Sequence, residues 1–218
     1  MSVWAVLAAA GRGERLGDER PKAFARLGKL PLLAEPLRRL EESDWIDAIV
    51  IVAPPDWEEP SILLAEELGA GKVTAAVTGG DTRSASVRAA LVEVPQDADV
   101  VLVHDAARPL ISHAVIERVL APLSEGWDGV VPGLTVSDTL KRVMDGQAVE
   151  TLEREGLVLV QTPQAFVASA LRAAAGEEAS DCAALVEARG GRIKVVEGDP
   201  RLLKVTSAAD LELVASWL

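Results

Sequence analysis

Val3-Trp4-Ala5-Val6-Leu7-Ala8-Ala9-Ala10-Gly11-Arg12-Gly13-Glu14-Arg15-Leu16 opens on an apolar run and passes at once into small residues and glycines. The run Val3–Ala8 is short and has no polar alternation, as expected of a strand covered on both faces. The same pattern recurs along the chain at Ala48–Ala53, Val73–Val77, Val100–His104, Val130–Leu134, Leu157–Gln161 and Ile193–Glu197. Helical spacing marks Leu32–Glu42, Trp57–Leu68, Thr82–Val94, Ser112–Leu123, Ala168–Ala175, Asp181–Arg189 and Ala208–Leu218. Strands alternating with helices predict a Rossmann-like α/β fold, a mostly parallel twisted sheet flanked by helices. In such sheets ligands sit beyond the C-terminal strand ends, so the loops after Ala8, Val77 and His104 are where chemistry belongs.

The first loop is suited to an anion. Gly11 and Gly13 permit backbone angles that other residues resist, and the small Ala8, Ala9 and Ala10 allow close approach. Successive N–H groups in such a turn form an anion-binding nest. Arg15 adds a bidentate fork and Lys22, after Pro21, a mobile point charge. A dinucleotide fingerprint fails because Leu16 stands where it requires glycine, and no Gly-Lys-Ser/Thr supplies a Walker loop. An ordinary strand-to-helix turn explains the glycines alone, but not the added Arg15 and Pro21-Lys22.

Composition bounds the ligand classes. The 218 residues carry 22 basic and 34 acidic side chains, a net charge of −12. An acidic surface repels nucleic acid and anionic membrane, so neither is an expected partner. A phosphate ligand must instead meet a local cluster of Arg and Lys, helped by a divalent cation. Cys182 is the only cysteine, which fits a reducing compartment. With no apolar run of membrane-spanning length and no secretory leader pattern, the expected location is cytoplasmic.

Two further loops carry chemistry. Gly79-Gly80-Asp81-Thr82-Arg83-Ser84-Ala85-Ser86-Val87 follows a strand and opens a helix that Asp81, Thr82 or Ser86 could cap. Val103-His104-Asp105-Ala106-Ala107-Arg108-Pro109 ends a buried strand, so Asp105 emerges at the ligand edge. There its carboxylate can hold Mg²⁺ between triphosphate oxygens, or form a structural pair with Arg108. Residues 136–156 break the rhythm: they are rich in charge, and Asp145-Gly146 signals a hairpin turn. A two-stranded arm is predicted, and because an isolated hairpin is marginal in water it is expected to pack on another subunit.

Taken together, these strings resemble the 2-C-methyl-D-erythritol 4-phosphate cytidylyltransferase family of isoprenoid biosynthesis. The matches are Gly-x-Gly-x-Arg with Pro-Lys, His-Asp-Ala-Ala-Arg-Pro, Asp-Thr-x-Lys-Arg at Asp138–Arg142, Arg-x-Gly-Leu at Arg154–Leu157, Thr162-Pro163-Gln164 and Lys204-Val205-Thr206. Cys182 departs from the acidic residue expected after Asp181, and Ala23-Phe24 from the usual pair after Lys22. The resemblance implies transfer of CMP from CTP to a polyol phosphate, with release of pyrophosphate. It places Ala8, Ala9, Ala10, Gly11, Gly13, Gly80, Asp81, Ser86 and Ala106 against the nucleotide. It places Asp105, Arg108, Thr139, Arg154, Thr162 and Thr206 at the acceptor, and Asp181 is carried over as a motif match without a role. Arg15, Lys22 and Lys204 become the catalytic cations, and Asp105 the ligand of Mg²⁺ or another divalent cation.

The expected organisation is one nucleotidyltransferase domain over residues 1–218, with 136–156 a β-arm that pairs subunits into a homodimer. The nucleophile of such a reaction is a phosphate oxygen already ionised at neutral pH, so no strong general base is required. Two enzymatic alternatives stay open, a ribitol 5-phosphate cytidylyltransferase and a sugar 1-phosphate nucleotidyltransferase. A third, of another class, is a non-catalytic nucleotide-sensing module. The glycine-rich loop reads only phosphates and does not separate them.

Overall fold

The computed structural model describes residues 1–11, 20–176, 179 and 181–218. Their central element is an eight-stranded sheet. Four strands form its parallel heart: β1 (Val3–Ala8), β4 (Ala48–Ala53), β5 (Val73–Thr78) and β6 (Val100–Asp105), ordered β6-β1-β4-β5. Beyond β6, the strand β11 (Gln164–Val167) runs antiparallel between β6 and β7 (Gly129–Thr135). Along β7 lie β10 (Val158–Val160), antiparallel, and β12 (Ile193–Glu197), parallel. A two-residue pair, β2 (Arg26–Leu27) with β3 (Leu30–Pro31), stands apart from this sheet.

Helices cover both faces, which explains the unbroken apolar strands. Odd positions of β1 and β4, Ala5, Leu7, Ile49 and Ile51, join one buried cluster with Leu37 and Leu40 of α1 (Ala34–Glu41) and Val115, Ile116 and Val119 of α4 (His113–Leu120). Even positions, Val6, Val50 and Val52, join the other with Val87, Ala90 and Leu91 of α3 (Arg83–Glu93). That second cluster also takes in Leu171 of α5 (Ala168–Ala174) and Leu185 of α6 (Cys182–Ala188). Successive side chains of a strand point to opposite faces, so a strand sandwiched between helices has no solvent-facing row of polar residues.

The predicted elements match closely. The helix expected at Trp57–Leu68 is α2 (Glu58–Glu67), and the last is α7 (Ala208–Ala215). Capping sets several boundaries: Thr82 accepts from Ala85 N at 3.1 Å and starts α3, and Asp181 accepts from Ala184 N at 2.9 Å and starts α6. Ser207 and Asp210 cap α7 reciprocally. The helix expected over Ser112–Leu123 ends at Leu120 and continues as a 3₁₀ turn over Ala121–Glu125, because Pro122 cannot carry on the α-helical ladder. Where the sequence suggests only a turn at Thr162-Pro163-Gln164, the chain enters β11 after a cis Thr162–Pro163 peptide.

Within residues 136–156 a hairpin forms from β8 (Leu140–Met144) and β9 (Gln147–Leu152), a two-stranded sheet of its own. Asp145 (φ 49°) and Gly146 (φ 80°) make its two-residue turn, both in the left-handed region that this hairpin geometry requires. Val143, Met144 and Val149 leave apolar side chains exposed on it. No helix among the described residues is long and apolar enough to cross a membrane.

Candidate functional site

Strand register assembles the site. Ala8, the last residue of β1, lies beside Asp105, the last of β6. The loops leaving these strands are tied down immediately: Ala9 N donates to Val52 O (2.9 Å), Gly79 N to Ala53 O (2.8 Å) and Ala106 N to Ala8 O (2.9 Å). Three loops that are remote in sequence therefore meet at the C-terminal edge of the parallel strands. Between them opens a cleft of about 780 Å³.

The cleft gathers most of the residues singled out above. Ala8, Ala9, Ala10 and Gly11 line it together with Lys22, Gly80, Asp81, Ser86, Asp105, Ala106 and Lys204. Gly13 and Arg15 lie outside the described residues. Lys22 begins a 3₁₀ turn over Lys22–Phe24 whose Ala23 and Phe24 are buried, so the turn is anchored by packing while its lysine borders the cleft. Of the three possible caps of α3, Thr82 takes the role; Ser86 instead donates to Gly80 O at 3.3 Å, holding the loop against its own helix.

Asp105 is the electrostatic centre. It is 8 % exposed, and its two oxygens face different cations. Lys204 Nζ donates to Oδ2 at 2.7 Å, and Arg83 Nη2 to Oδ1 at 3.5 Å. Burial works to raise this carboxyl, but Arg83 and Lys204 outweigh it and hold it at about 2. Asp105 is therefore a carboxylate at neutral pH. Lys204 reaches it because the terminal segment is pinned to the loop after β6: Val205 N donates to Ala107 O (2.8 Å) and Arg108 Nη1 to Leu202 O (2.6 Å).

Arg108 has a different position from the one its motif suggests. A turn closed by Arg108 N to Asp105 O (2.9 Å) sends the side chain towards Leu202, and among the described residues it forms no ion pair with Asp105. Its Nε is buried and, among the described residues, has no hydrogen-bond partner. Thr162 lies directly behind Asp105. Its hydroxyl accepts from Asp105 N at 3.0 Å and faces His104 Nδ1 at 3.2 Å. On the far side of that ring, Nε2 is 2.9 Å from the Arg108 carbonyl. A carbonyl can only accept, so Nε2 carries the proton, and Thr162 donates to Nδ1. Burial pushes His104 down to about 4, leaving it neutral and structural.

The remaining candidates stand away from the cleft lining. Thr206 donates through both N and Oγ1 to Asp210 Oδ2 at 2.8 Å, as part of the α7 cap. Thr139 and Arg154 are exposed at the base of the hairpin, where Arg154 bonds the Ser137 carbonyl. Asp181 accepts from Gln164 Nε2 at 3.2 Å besides capping α6.

Two lining residues escape a reading of the sequence. Trp57 packs on Phe24 with ring centroids 4.4 Å apart and closes the wall next to Lys22. Arg83 also lines the cleft, bonded to Asp105 and, at 3.1 Å, to the Cys182 thiol. One local signal does point to Arg83: a cation in the first turn of a helix opposes the macrodipole, which asks for a compensating anion nearby.

The sequence model of IspD, 2-C-methyl-D-erythritol 4-phosphate cytidylyltransferase, matches residues 3–218 of this chain. The chain belongs to that family. A member from Saccharopolyspora erythraea is 44 % identical over 225 residues, with all of both chains covered. One from Nocardia farcinica is 42 % identical over 220 residues, covering 100 % of this chain and 94 % of the relative. Among solved structures, the family's enzyme from Thermus thermophilus superposes with a TM-score of 0.79 at 34 % identity, covering 97 % of this chain and 96 % of that one. A 4-diphosphocytidyl-2C-methyl-D-erythritol synthase aligns with a TM-score of 0.84 at 29 % identity, covering 99 % and 97 %. The family shares the α/β sheet described above, and its members are cytidylyltransferases by name.

Proposed function

We propose that this chain transfers CMP from CTP to 2-C-methyl-D-erythritol 4-phosphate, giving 4-diphosphocytidyl-2-C-methyl-D-erythritol and pyrophosphate, in the non-mevalonate isoprenoid pathway. One observation carries the reading: Ala8–Gly11, Gly80, Asp81, Ser86, Asp105, Lys22 and Lys204 line a single cleft at the C-terminal edge of the parallel strands. Family membership over residues 3–218 supplies the substrates.

The residues suit the chemistry. An attacking phosphate oxygen is already ionised, so the work is to bring two polyanions together and to stabilise charge at the α-phosphorus. The backbone of Ala10 and Gly11 and the ammonium of Lys22 meet the triphosphate, with Arg15 assigned to the same task, while Ala8 and Ala9, the latter with its N–H held by Val52 O, form the floor beneath it. Small polar groups at Gly80, Asp81 and Ser86 read the cytosine edge, and Ala106 packs against the nucleotide. Lys204 leaves Asp105 for the α-phosphate and the incoming phosphate. Arg108 keeps its acceptor assignment, which its guanidinium would fulfil by turning from the Leu202 carbonyl towards the cleft. Thr162 acts from behind, because its hydroxyl proton already serves His104. No group in the cleft need act as a strong base, and His104 is 0 % exposed, away from the reacting atoms.

A divalent cation fits this site. Asp105 is an ionised carboxylate at the cleft, and among the described residues no group of three or more His, Cys, Asp or Glu surrounds a common point. One carboxylate is what a Mg²⁺ ion needs when phosphate oxygens and water complete its octahedron. When bound, the ion would neutralise triphosphate charge and polarise the α-phosphoryl group. Residues 136–156 serve as a dimerisation arm of the single domain 1–218. The exposed Val143, Met144, Val149, Leu157 and Leu159 support a partner there. Thr139 and Arg154, away from the cleft lining in their own chain, would then reach the partner's acceptor site, while Thr206 keeps its acceptor assignment beside Lys204 of its own chain. A monomer in light scattering at micromolar concentration would remove the arm's role.

Pyrophosphate release with Mg²⁺ tests the whole reading, crossing CTP, ATP, GTP and UTP against methylerythritol phosphate, ribitol 5-phosphate and glucose 1-phosphate. The expected maximum is CTP with methylerythritol phosphate. A maximum with another acceptor would reassign the substrate, and no release from any pair would favour a sensing module.

A further inference from the structure

Asp105 is held by two cations of different character. Lys204 comes from an irregular segment, and its side chain is 44 % exposed, free to leave along the cleft. Arg83 is the first residue of α3, and its side chain is 23 % exposed. It lies across the cleft lining with Nη2 on Asp105 Oδ1 and Nη1 on Cys182 Sγ. Both ends of that guanidinium are thus engaged, one by a carboxylate and one by a buried thiol. Cys182 brings no counter-charge, and of the carboxylates acting on Arg83 among the described residues Asp105, its ion-pair partner, outweighs Asp181. Burial of the guanidinium and its place in the first turn of a helix both oppose its charge. A cation maintained against both effects needs Asp105 as much as Asp105 needs it.

We propose that Arg83 is a positioning residue for the transfer reaction: it clamps Oδ1 of Asp105 so that Oδ2 stays aimed into the cleft when Lys204 departs for the phosphate. The inference rests on the cytidylyl-transfer reading above. Without Arg83, the one cation among the described residues still bonded to the carboxylate is the mobile Lys204, and the carboxylate rotates or stays paired with it. Either response withholds the cation ligand and the phosphate-directed ammonium together. A residue supporting a metal ligand from behind typically contributes about 10- to 100-fold in metal affinity or activity.

The test uses full-length wild type, Arg83→Gln, Arg83→Lys and Cys182→Ala, with circular dichroism and thermal melting to establish folding. Two readouts are compared: the Mg²⁺ dependence of pyrophosphate release, and Mn²⁺ binding in the presence of CTP followed by electron paramagnetic resonance. For Arg83→Gln, kcat is expected to fall by about 10- to 100-fold, and both half-saturating metal concentrations to rise by about 10-fold, with KM for CTP within about 3-fold. Arg83→Lys should recover part of each effect, because it restores the charge without the fork. Cys182→Ala should leave metal dependence within about 2-fold of wild type, since the thiol is only a neutral neighbour.

Unchanged metal dependence in both Arg83 variants overturns the proposal. A rise confined to KM for CTP overturns it as well, since Arg83 would then touch the nucleotide. If Arg83→Gln fails to fold, Arg83→Lys carries the decision, by whether its metal half-saturation moves. Wild-type enzyme that releases no pyrophosphate would instead sink the functional reading, and the Mn²⁺ measurement would still report on Asp105.

Discussion

Gly79→Ala probes the junction on which the cleft is built. A Cβ added at Gly79 would stand 2.2 Å from Ala10 Cβ, 3.2 Å from Ser86 Oγ and 3.3 Å from the Ala53 carbonyl. Carbon atoms settle about 3.5–4.0 Å apart, so the two loops must separate by more than about 1 Å. Neither can yield by rotating a side chain, because the Ala10 methyl is fixed to its backbone. Both loops are also fastened to β4, through Ala9 N to Val52 O (2.9 Å) and Gly79 N to Ala53 O (2.8 Å). Overpacking of this kind costs about 1–3 kcal/mol. In a chain of this size about 2 kcal/mol lowers Tm by about 4–8 °C. Displacing a positioning loop by about 1 Å can lower turnover efficiency by about 10²-fold. Gly79→Ala should therefore melt measurably earlier and lose about 10²-fold in kcat/KM for CTP in the pyrophosphate-release assay. Gly71→Ala is the control, since its added Cβ meets only Glu41 Oε1 at an ordinary 3.8 Å. A Gly79→Ala protein with wild-type Tm and wild-type kcat/KM would refute the claim that close approach of these two loops shapes the nucleotide site.

Lys22→Ala should lower turnover by about 10²-fold or more, on the scale seen when a transition-state donor is removed; near-wild-type turnover would show that the triphosphate is met elsewhere. Chelation with EDTA should abolish pyrophosphate release and added Mg²⁺ should restore it, while full activity in EDTA would leave Asp105 without a metal role. At the N-terminal cap of α7, donors from Thr206 and Ser207 hold the Asp210 carboxyl at about 2, below its ordinary 3.8. A depressed carboxyl contributes stability that is complete above its unfolded value and lost as pH falls through the folded one. Asp210→Asn should thus melt below wild type at neutral pH, and the gap should close between about pH 4 and pH 2. A gap independent of pH in chemical or thermal melts would mean that the carboxylate charge is not what the cap uses.

Much of this protein is legible along the chain. Strands such as Val3–Ala8 and Ala48–Ala53 announce themselves because a strand buried on both faces has no solvent-facing row of polar residues. Alternation with helices then dictates a parallel sheet, whose ligand edge must hold the residues that end the strands. Chain order alone thus brings Ala8, Gly80 and Asp105 to one place, and the cleft contains all three. Asp145-Gly146 likewise specifies its turn through a local backbone requirement that few residue pairs satisfy.

Partnership is another matter. The sequence motif sets Arg108 three residues from Asp105, yet the carboxylate takes Arg83 and Lys204, 22 and 99 residues away in the chain. The β6–β1 register, the start of α3 and the pinning of Val205 to Ala107 decide that choice. Trp57 enters the cleft wall only because α2 packs it onto Phe24. Residues 164–167 become a strand because β6 and β7 leave an antiparallel slot between them, which local propensity does not encode. Periodicity and turn chemistry are properties of neighbouring residues and can be read in order. Ion pairing and exclusion of water depend on which distant surfaces are brought to within a few ångströms, and only the folded chain sets those distances.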